Sequence, residues 1–161
     1  MKTRSNLFTN IVLATAALAT VAFFSACSKS DDTPPQQANY TVSGNGSGSQ
    51  VVPAASGSGT ASITGTFNPN NNQLIFTSNW NALSGPPIAA AFYTGAAGVN
   101  GALTGDVWTF PAGTTASGSI TDTLTLTADQ ATKLTSGNWY YLYVTTLNPA
   151  GEVRGQVSAT R

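Results

Sequence analysis

The sequence has 161 residues, and its six basic and six acidic side chains give a net charge of zero. It contains one cysteine and no histidine. An internal disulfide is therefore excluded, and so are acid–base or nucleophilic mechanisms that depend on histidine. With so few basic residues the chain cannot neutralise a phosphate backbone, which argues against nucleic acid as a partner.

Residues 1–26 have the pattern of a signal peptide. Lys2 and Arg4 precede an Ala-rich apolar stretch, Ile11 to Phe24, that is short for a membrane span. The sequence that follows, Phe24-Ser25-Ala26-Cys27, resembles the lipobox of bacterial lipoproteins. This resemblance implies cleavage before Cys27, lipid attachment to Cys27 and anchoring in the bacterial outer membrane. An ordinary signal peptide with an incidental cysteine is the alternative.

Residues 27–38 are polar and predict a flexible tether between the lipid and the folded domain. Within them, Ser30-Asp31-Asp32 resembles the acidic export signal of Bacteroidota surface lipoproteins, which implies display on the cell surface. A plain solvated linker is the alternative. A chain that begins at Cys27 keeps four basic and six acidic side chains, so its net charge is −2.

Residues 39–161 show the composition of an all-β domain. Short runs of alternating apolar and polar residues, such as Ala61 to Phe67, are separated by Gly, Pro and Asn turn signals. Seven or eight such strands predict a sandwich or barrel with a single core. One short helix is expected, because Thr127 to Gln130 has the spacing of a capping box and Gly137 provides a stop.

The strand predicted from Trp139 to Thr146 is the most aromatic in the chain. Trp139, Tyr141 and Tyr143 alternate along it and therefore share one face. If that face points outward, it is an apolar strip with hydroxyl tips that suits sugar rings or a protein partner. The alternative is that these rings pack beneath loops such as residues 81–87.

A turn and a charged strand follow, in the stretch Asn148-Pro149-Ala150-Gly151-Glu152-Val153-Arg154-Gly155-Gln156. Glu152 and Arg154 are two residues apart and so share a strand face. They could contact a ligand. Alternatively, Arg154 holds loop carbonyl groups and stabilises the turn, and this structural interpretation is favoured.

Four motifs occur in an order and spacing that resembles the CHRD domain, named from chordin: Gln50-Val51-Val52-Pro53, Gly95-Ala96-Ala97-Gly98-Val99-Asn100-Gly101, Gly137 with Trp139-Tyr140, and the 148–156 stretch. The resemblance covers about residues 39–160. It implies an antiparallel Greek-key β-sandwich or barrel and a family without a settled biochemical activity. Within it, the family-motif residues interpreted as structural are Pro149, Gly151, Glu152, Arg154 and Gly155.

The chain departs from this family at three positions. Members usually carry a His-x-His pair before the glycine-rich loop and a third histidine on the strand before the Asn-Pro turn. These positions fall on Ala91, Tyr93 and Val144. Neutral imidazoles there would suit zinc or copper, but Ala and Val offer no ligand atom. No metal and no other cofactor is therefore expected.

The sequence thus predicts a lipid-anchored envelope or cell-surface protein in which one CHRD-like domain acts as a binding or structural module with an unknown protein or glycan partner. Catalytic activity is not expected. Two alternatives stay open, namely a carbohydrate-binding module that uses the aromatic strip and a metal-dependent redox protein of the superoxide-dismutase type. The missing histidines disfavour the second alternative.

Overall fold

The computed structural model of the protein describes residues 35–161, except for the side chain of Asp106. The predicted signal peptide, the predicted lipid-attachment residue Cys27 and most of the predicted tether lie outside the described residues. Within residues 35–161, no helix is both long enough and apolar enough to cross a membrane.

The domain is built from one antiparallel sheet of eight strands. They are β1 (Tyr40–Ser47), β2 (Thr60–Asn68), β3 (Gln73–Asn81), β4 (Pro87–Thr94), β5 (Leu103–Val107), β6 (Gly118–Thr125), β7 (Trp139–Thr145) and β8 (Val153–Thr160). Their order across the sheet is β5-β4-β7-β8-β1-β2-β3-β6. The sheet curls into a half-barrel, so its two ends face each other across a common core. The predicted all-β architecture with antiparallel strands is confirmed.

The inner faces of the strands meet in a core rich in aromatic rings. Phe76 on β3 and Phe92 on β4 lie 5.0 Å apart in an edge-to-face arrangement, although their strands are at opposite ends of the sheet. Aromatic pairs of this geometry add about 0.5–1.5 kcal/mol beyond the burial of their area. Such contacts hold the curled sheet closed without hydrogen bonds between its edges.

The segment between β5 and β6 covers the open side of the half-barrel. Its Trp108 is 3% exposed and packs on Phe76 and Phe92 at 5.1 Å from each ring. Phe110 packs edge-on against Trp80 at 5.4 Å. Trp80 and Trp108 are therefore both core residues.

One helix, α1 (Ala128–Thr135), lies between β6 and β7. Thr127 accepts a hydrogen bond from the backbone of Gln130, whose side chain in turn accepts one from the backbone of Thr127, so the predicted capping box is present. Gly137 follows the helix with a φ of 75°, a left-handed conformation that favours glycine. The predicted short helix is confirmed.

Strand β1 runs through a Gly/Ser-rich stretch of low complexity, because Ser43 to Ser47 forms its second half. Gly44 and Gly46 face the core there, and a Cβ on Gly46 would meet the Tyr141 hydroxyl at 2.7 Å. Glycine is thus required by close packing rather than by flexibility.

Candidate binding site

Glu152 is fully buried at the turn between β7 and β8. One carboxylate oxygen accepts a hydrogen bond from the Ser84 backbone N–H at 2.6 Å. The other accepts from the hydroxyls of Ser84 at 2.5 Å and Thr145 at 2.6 Å, and from the Asn148 amide at 3.1 Å. The carboxylate therefore ties the loop after β3 to the turn that precedes β8.

The hydrogen bonds determine the charge state of Glu152. Burial alone would raise the pKa of Glu152, because it disfavours the charged form. The hydrogen bonds from Ser84, Thr145 and Asn148 together outweigh burial and lower the pKa below its ordinary value. Glu152 is therefore ionised at neutral pH and unsuited to act as a general acid.

Arg154, on β8, is 2% exposed and holds the glycine loop, which we define as residues 95–101. Its Nη2 donates to the backbone oxygens of Ala96 at 2.9 Å and Val99 at 2.8 Å. Its Nη1 donates to Asn100 Oδ1 at 3.3 Å, and the guanidinium lies 3.6 Å above the centre of the Tyr140 ring. Arg154 therefore clamps carbonyl groups of the glycine loop, as the favoured interpretation of the sequence expected. The turn before β8, which the same interpretation assigned to Arg154, is instead bonded to Glu152.

Glu152 and Arg154 do not form an ion pair. Within residues 35–161, Asp106 apart, the one ion pair joins Lys133 and Asp129 at 2.7 Å. Each member of the 152–154 motif is held separately by neutral groups on different loops. Glu152 and Arg154 therefore have separate structural roles, although they are only two residues apart in the sequence.

The remaining motif residues shape the backbone around these two side chains. Pro149 lies in the exposed turn before Glu152, and Gly151 has a φ of 126° that side chains rarely tolerate. Gly155 lies against the ring of Tyr141, and a Cβ there would overlap that ring. These features agree with a structural role for the motif.

The aromatic row on β7 faces the core, which corrects the outward orientation considered from the sequence. Trp139 is 1% exposed, and Tyr141 and Tyr143 are 0% exposed. The Tyr143 hydroxyl is hydrogen-bonded to Ser78 at 2.8 Å, and burial raises the pKa of both tyrosines well above the ordinary range. The rings are covered because the far half of the curled sheet packs on them. This row offers no exposed strip for a sugar.

A different surface carries a regular array of polar groups. Outward side chains on β1, β2, β3 and β6, together with Ser158 and Thr160 on β8, are Ser, Thr, Asn or Gln, apart from one isoleucine, and we call this surface the hydroxyl face. Arg154 and Gln156, the other outward side chains of β8, contact the glycine loop and are not part of this face. Its members are Ser158, Thr160, Thr41, Ser43, Asn45, Ser47, Thr60, Ser62, Thr64, Thr66, Gln73, Ile75, Thr77, Asn79, Asn81, Ser119, Thr121, Thr123 and Thr125. They are exposed or half-buried.

Strand register aligns these side chains in rows across the sheet. The central row runs Ser158, Ser43, Thr64, Thr77 and Thr121 over five neighbouring strands. Neighbouring strands are about 4.8 Å apart, and successive rows are about 7 Å apart along a strand. Thr77 and Thr121 are hydrogen-bonded to each other at 2.8 Å. Hydrogen-bonding groups are thus presented at a repeating spacing.

Two shallow depressions cross the hydroxyl face. One, of about 360 Å³, is bordered by Asn45, Ser62 and Asn79. The other, of about 350 Å³, is bordered by Thr64 and Thr77. Both lie between strands and could seat part of an extended polar chain.

The fold and the motifs match a known protein family. A family model described as CHRD domain matches residues 42–157, which is most of the chain. The chain belongs to the CHRD family. Searches of curated proteins and of solved structures each returned no significant match. The resemblance to the CHRD domain stated from the motifs is confirmed, and membership is consistent with a non-catalytic binding module.

The three positions where CHRD domains usually carry histidine lie on the outer face of the sheet, but Val144 is opposite neither of the other two. Ala91 and Tyr93 alternate on β4, and Val144 on β7 is paired with the neighbouring Ala89. Burial, and secondly the nearby Tyr140, raise the pKa of Tyr93, so its phenol stays neutral. A neutral phenol beside Ala and Val does not fit a zinc or copper centre.

Sequence reasoning missed the hydroxyl face of this CHRD domain. Each strand showed only an ordinary polar side, such as Ser62, Thr64 and Thr66 on β2. A usable signal was the near absence of charged residues in these strands, since only 7% of the chain is charged against about 25% in typical domains. The alignment of rows appears only when the register is known.

Proposed function

We propose that this protein is an exported, lipid-anchored and non-catalytic CHRD module that uses the hydroxyl face to bind neutral polysaccharide at the cell envelope. The observation that carries the proposal is the hydroxyl face itself, a surface that spans five strands and whose members carry no charge. Its aligned hydroxyls and amides can both donate and accept hydrogen bonds. A polysaccharide presents the same two capacities along an extended chain.

Other classes of partner match this face poorly. A highly charged partner would meet no opposite charge on it. An apolar protein surface would bury hydroxyls without replacing their bonds to water, at a cost of about 1–3 kcal/mol for each unsatisfied group. A neutral glycan avoids both costs, because its own hydroxyls replace water. The glycan partner considered from the sequence is therefore kept, but it is placed on a different surface from the aromatic row.

The described acidic side chains support a role without catalysis. Glu152 is occupied by hydrogen bonds, Asp129 is paired with Lys133, and Asp122 accepts from the adjacent Thr123 backbone. These three carboxylates lie on different elements and serve local structure. The proposal therefore assigns binding, and no reaction, to the domain.

The binding proposal predicts that the full-length protein co-sediments with insoluble neutral polysaccharides such as cellulose and mannan. Thr64→Glu and Thr64→Lys, at the centre of the face, are each expected to reduce the bound fraction about tenfold, because an introduced charge must be desolvated on binding. Sedimentation assays with both variants would measure this. Thr109→Glu, an exposed threonine outside the face, is the matched control.

The two opposite charges make this test selective. If Thr64→Lys binds acidic polysaccharide better than the unmodified protein does, the proposal of a neutral partner is wrong and the partner is an acidic polysaccharide. If neither substitution changes sedimentation while the fold is intact, the hydroxyl face is not the binding surface.

The anchoring part of the proposal predicts that cells grown with labelled palmitate incorporate the label into the unmodified protein and not into Cys27→Ser. The reason is that the thiol of residue 27 is the proposed site of the lipid. Precipitation of the protein from labelled cells would measure the incorporation. Equal labelling of Cys27→Ser and of the unmodified protein would contradict lipid attachment at this residue.

A further inference from the structure

A small cavity of about 210 Å³ lies on the outer side of β8, where the glycine loop crosses the sheet. Arg154 and Gln156 line it from β8, Ala97 and Gly98 from the glycine loop, and Ser49 and Gln50 from the turn after β1. The cavity is more enclosed than the depressions on the hydroxyl face. It is also separate from the Glu152 hydrogen bonds.

Arg154 brings a positive charge to this cavity with no opposite charge beside it. The side chain is 2% exposed, and no carboxylate among the described side chains lies within 4.0 Å of the guanidinium. The contacts that hold the guanidinium are three neutral oxygens and the face of Tyr140. Neutral acceptors compensate only part of the cost of removing a guanidinium from water.

Part of the hydrogen-bonding capacity of Arg154 is also unused. A guanidinium has five N–H donors, and the described contacts of Arg154 use three of them. The Nε–H and one Nη1–H have no acceptor among residues 35–161. Burial lowers the pKa of Arg154, with partial opposition from Tyr140, but a guanidinium remains charged at neutral pH.

Gln156 supplies a second unsatisfied polar group at the same cavity. Its amide nitrogen donates to the backbone oxygens of Gly95 at 2.9 Å and Gly137 at 2.8 Å, which fixes the orientation of the amide. Its Oε1 is buried and has no hydrogen-bond partner among the described residues. The cavity thus combines a free cationic donor with a free acceptor.

We propose that this cavity is a binding site for a small oxyanion, or for a ligand group that carries one, such as a carboxylate, phosphate or sulfate that also bears a hydroxyl. The oxyanion accepts hydrogen bonds from the unused Arg154 donors and neutralises the guanidinium. The hydroxyl would donate to Gln156 Oε1 after a small shift of the side chains that cover this buried oxygen. Planar, charge-assisted contacts of this kind are the strongest that arginine makes.

The site does not depend on the hydroxyl face. Its ligand is recognised by charge within an enclosed cavity, whereas the hydroxyl face is uncharged and open. Either proposal can therefore fail while the other holds.

The test is thermal unfolding of the purified full-length protein in phosphate, in sulfate and in galacturonate, each compared with chloride at equal ionic strength. Each oxyanion is expected to raise the Tm by about 2–4 °C relative to chloride. Sulfate and phosphate also stabilise proteins generally, by exclusion from their surfaces, so variants must separate the two effects. Galacturonate, which carries both a carboxylate and hydroxyls, should give the largest shift at low concentration.

Ala97→Glu is the informative variant, because it loses no side-chain hydrogen bond and places a carboxylate at the cavity. It is expected to raise the Tm in chloride and to remove the additional shift caused by oxyanions. Ala112→Glu, at an exposed turn outside the cavity, should keep that shift. Equal oxyanion shifts in the unmodified protein and in both variants would overturn the site. The absence of any shift relative to chloride in the unmodified protein would overturn it as well.

Discussion

Replacement of Arg154 with methionine is expected to lower the free energy of unfolding by at least about 3 kcal/mol, since each lost hydrogen bond to a charged group contributes about 1.5–3 kcal/mol. Methionine keeps an apolar stem over Tyr140 but removes the guanidinium donor from the oxygens of Ala96, Val99 and Asn100. The glycine loop would lose its attachment to β8. Chemical denaturation followed by tryptophan fluorescence would measure the change.

Arg161→Met is the matched control for this substitution. Arg161 also lies over an aromatic ring, Tyr40, at 4.3 Å, but it is exposed and bonds only to the side chain of Gln37. Its loss should cost less than about 0.5 kcal/mol. Similar destabilisation by the two substitutions would show that the clamp on the glycine loop contributes little.

Glu152→Gln is expected to destabilise the domain by about 2–3 kcal/mol, although it changes a single oxygen to an amide nitrogen. All four groups that contact the carboxylate donate hydrogen bonds, and one of them is the fixed backbone N–H of Ser84. A glutamine amide has to turn its NH₂ toward one of these donors. Asp122→Asn, at an exposed carboxylate, should change stability by less than about 0.5 kcal/mol.

The same carboxylate predicts a pH dependence. Because the folded-state pKa of Glu152 is lowered below its ordinary value of 4.5, its contribution to stability is fully present above pH 4.5. That contribution is lost as the pH falls through the lower, folded-state pKa. Between pH 7 and pH 2, the free energy of unfolding should therefore fall more steeply with decreasing pH for the unmodified protein than for Glu152→Gln. Parallel curves would contradict the assigned role of the carboxylate.

Local signals made several features predictable from the sequence. The capping box at Thr127 depends on residues three apart, and the structure reproduces it. The clamp by Arg154 was expected as contact with loop carbonyls, because the glycine-rich loop can accept hydrogen bonds from a guanidinium. The glycine loop that accepts its hydrogen bonds was already visible as a motif.

Other features depend on pairing between strands that are distant in the sequence and could not be predicted from local patterns. The alternation of Trp139, Tyr141 and Tyr143 showed that they share a face, but not which face the rest of the sheet covers. The Gly/Ser composition at the end of β1 gave no local sign of a strand. The ring of Tyr141, which requires glycine there, is about a hundred residues away in the sequence. The hydroxyl face required the register of five strands.

The pairing of the first and last strands gives the domain two different ends, one with the chain termini of the sheet and one with the glycine loop. Thr41 pairs with Thr160, and Ser47 pairs with Arg154, so both chain ends of the sheet lie together and the glycine loop lies at the other end of β1. Eight residues of extended strand separate the two ends by about 25 Å. A domain held at its amino-terminal end would project the Arg154 cavity and the Glu152 turn away from the point of attachment. The hydroxyl face would then run along the side of the upright domain, where it could lie parallel to chains that extend outward from a membrane.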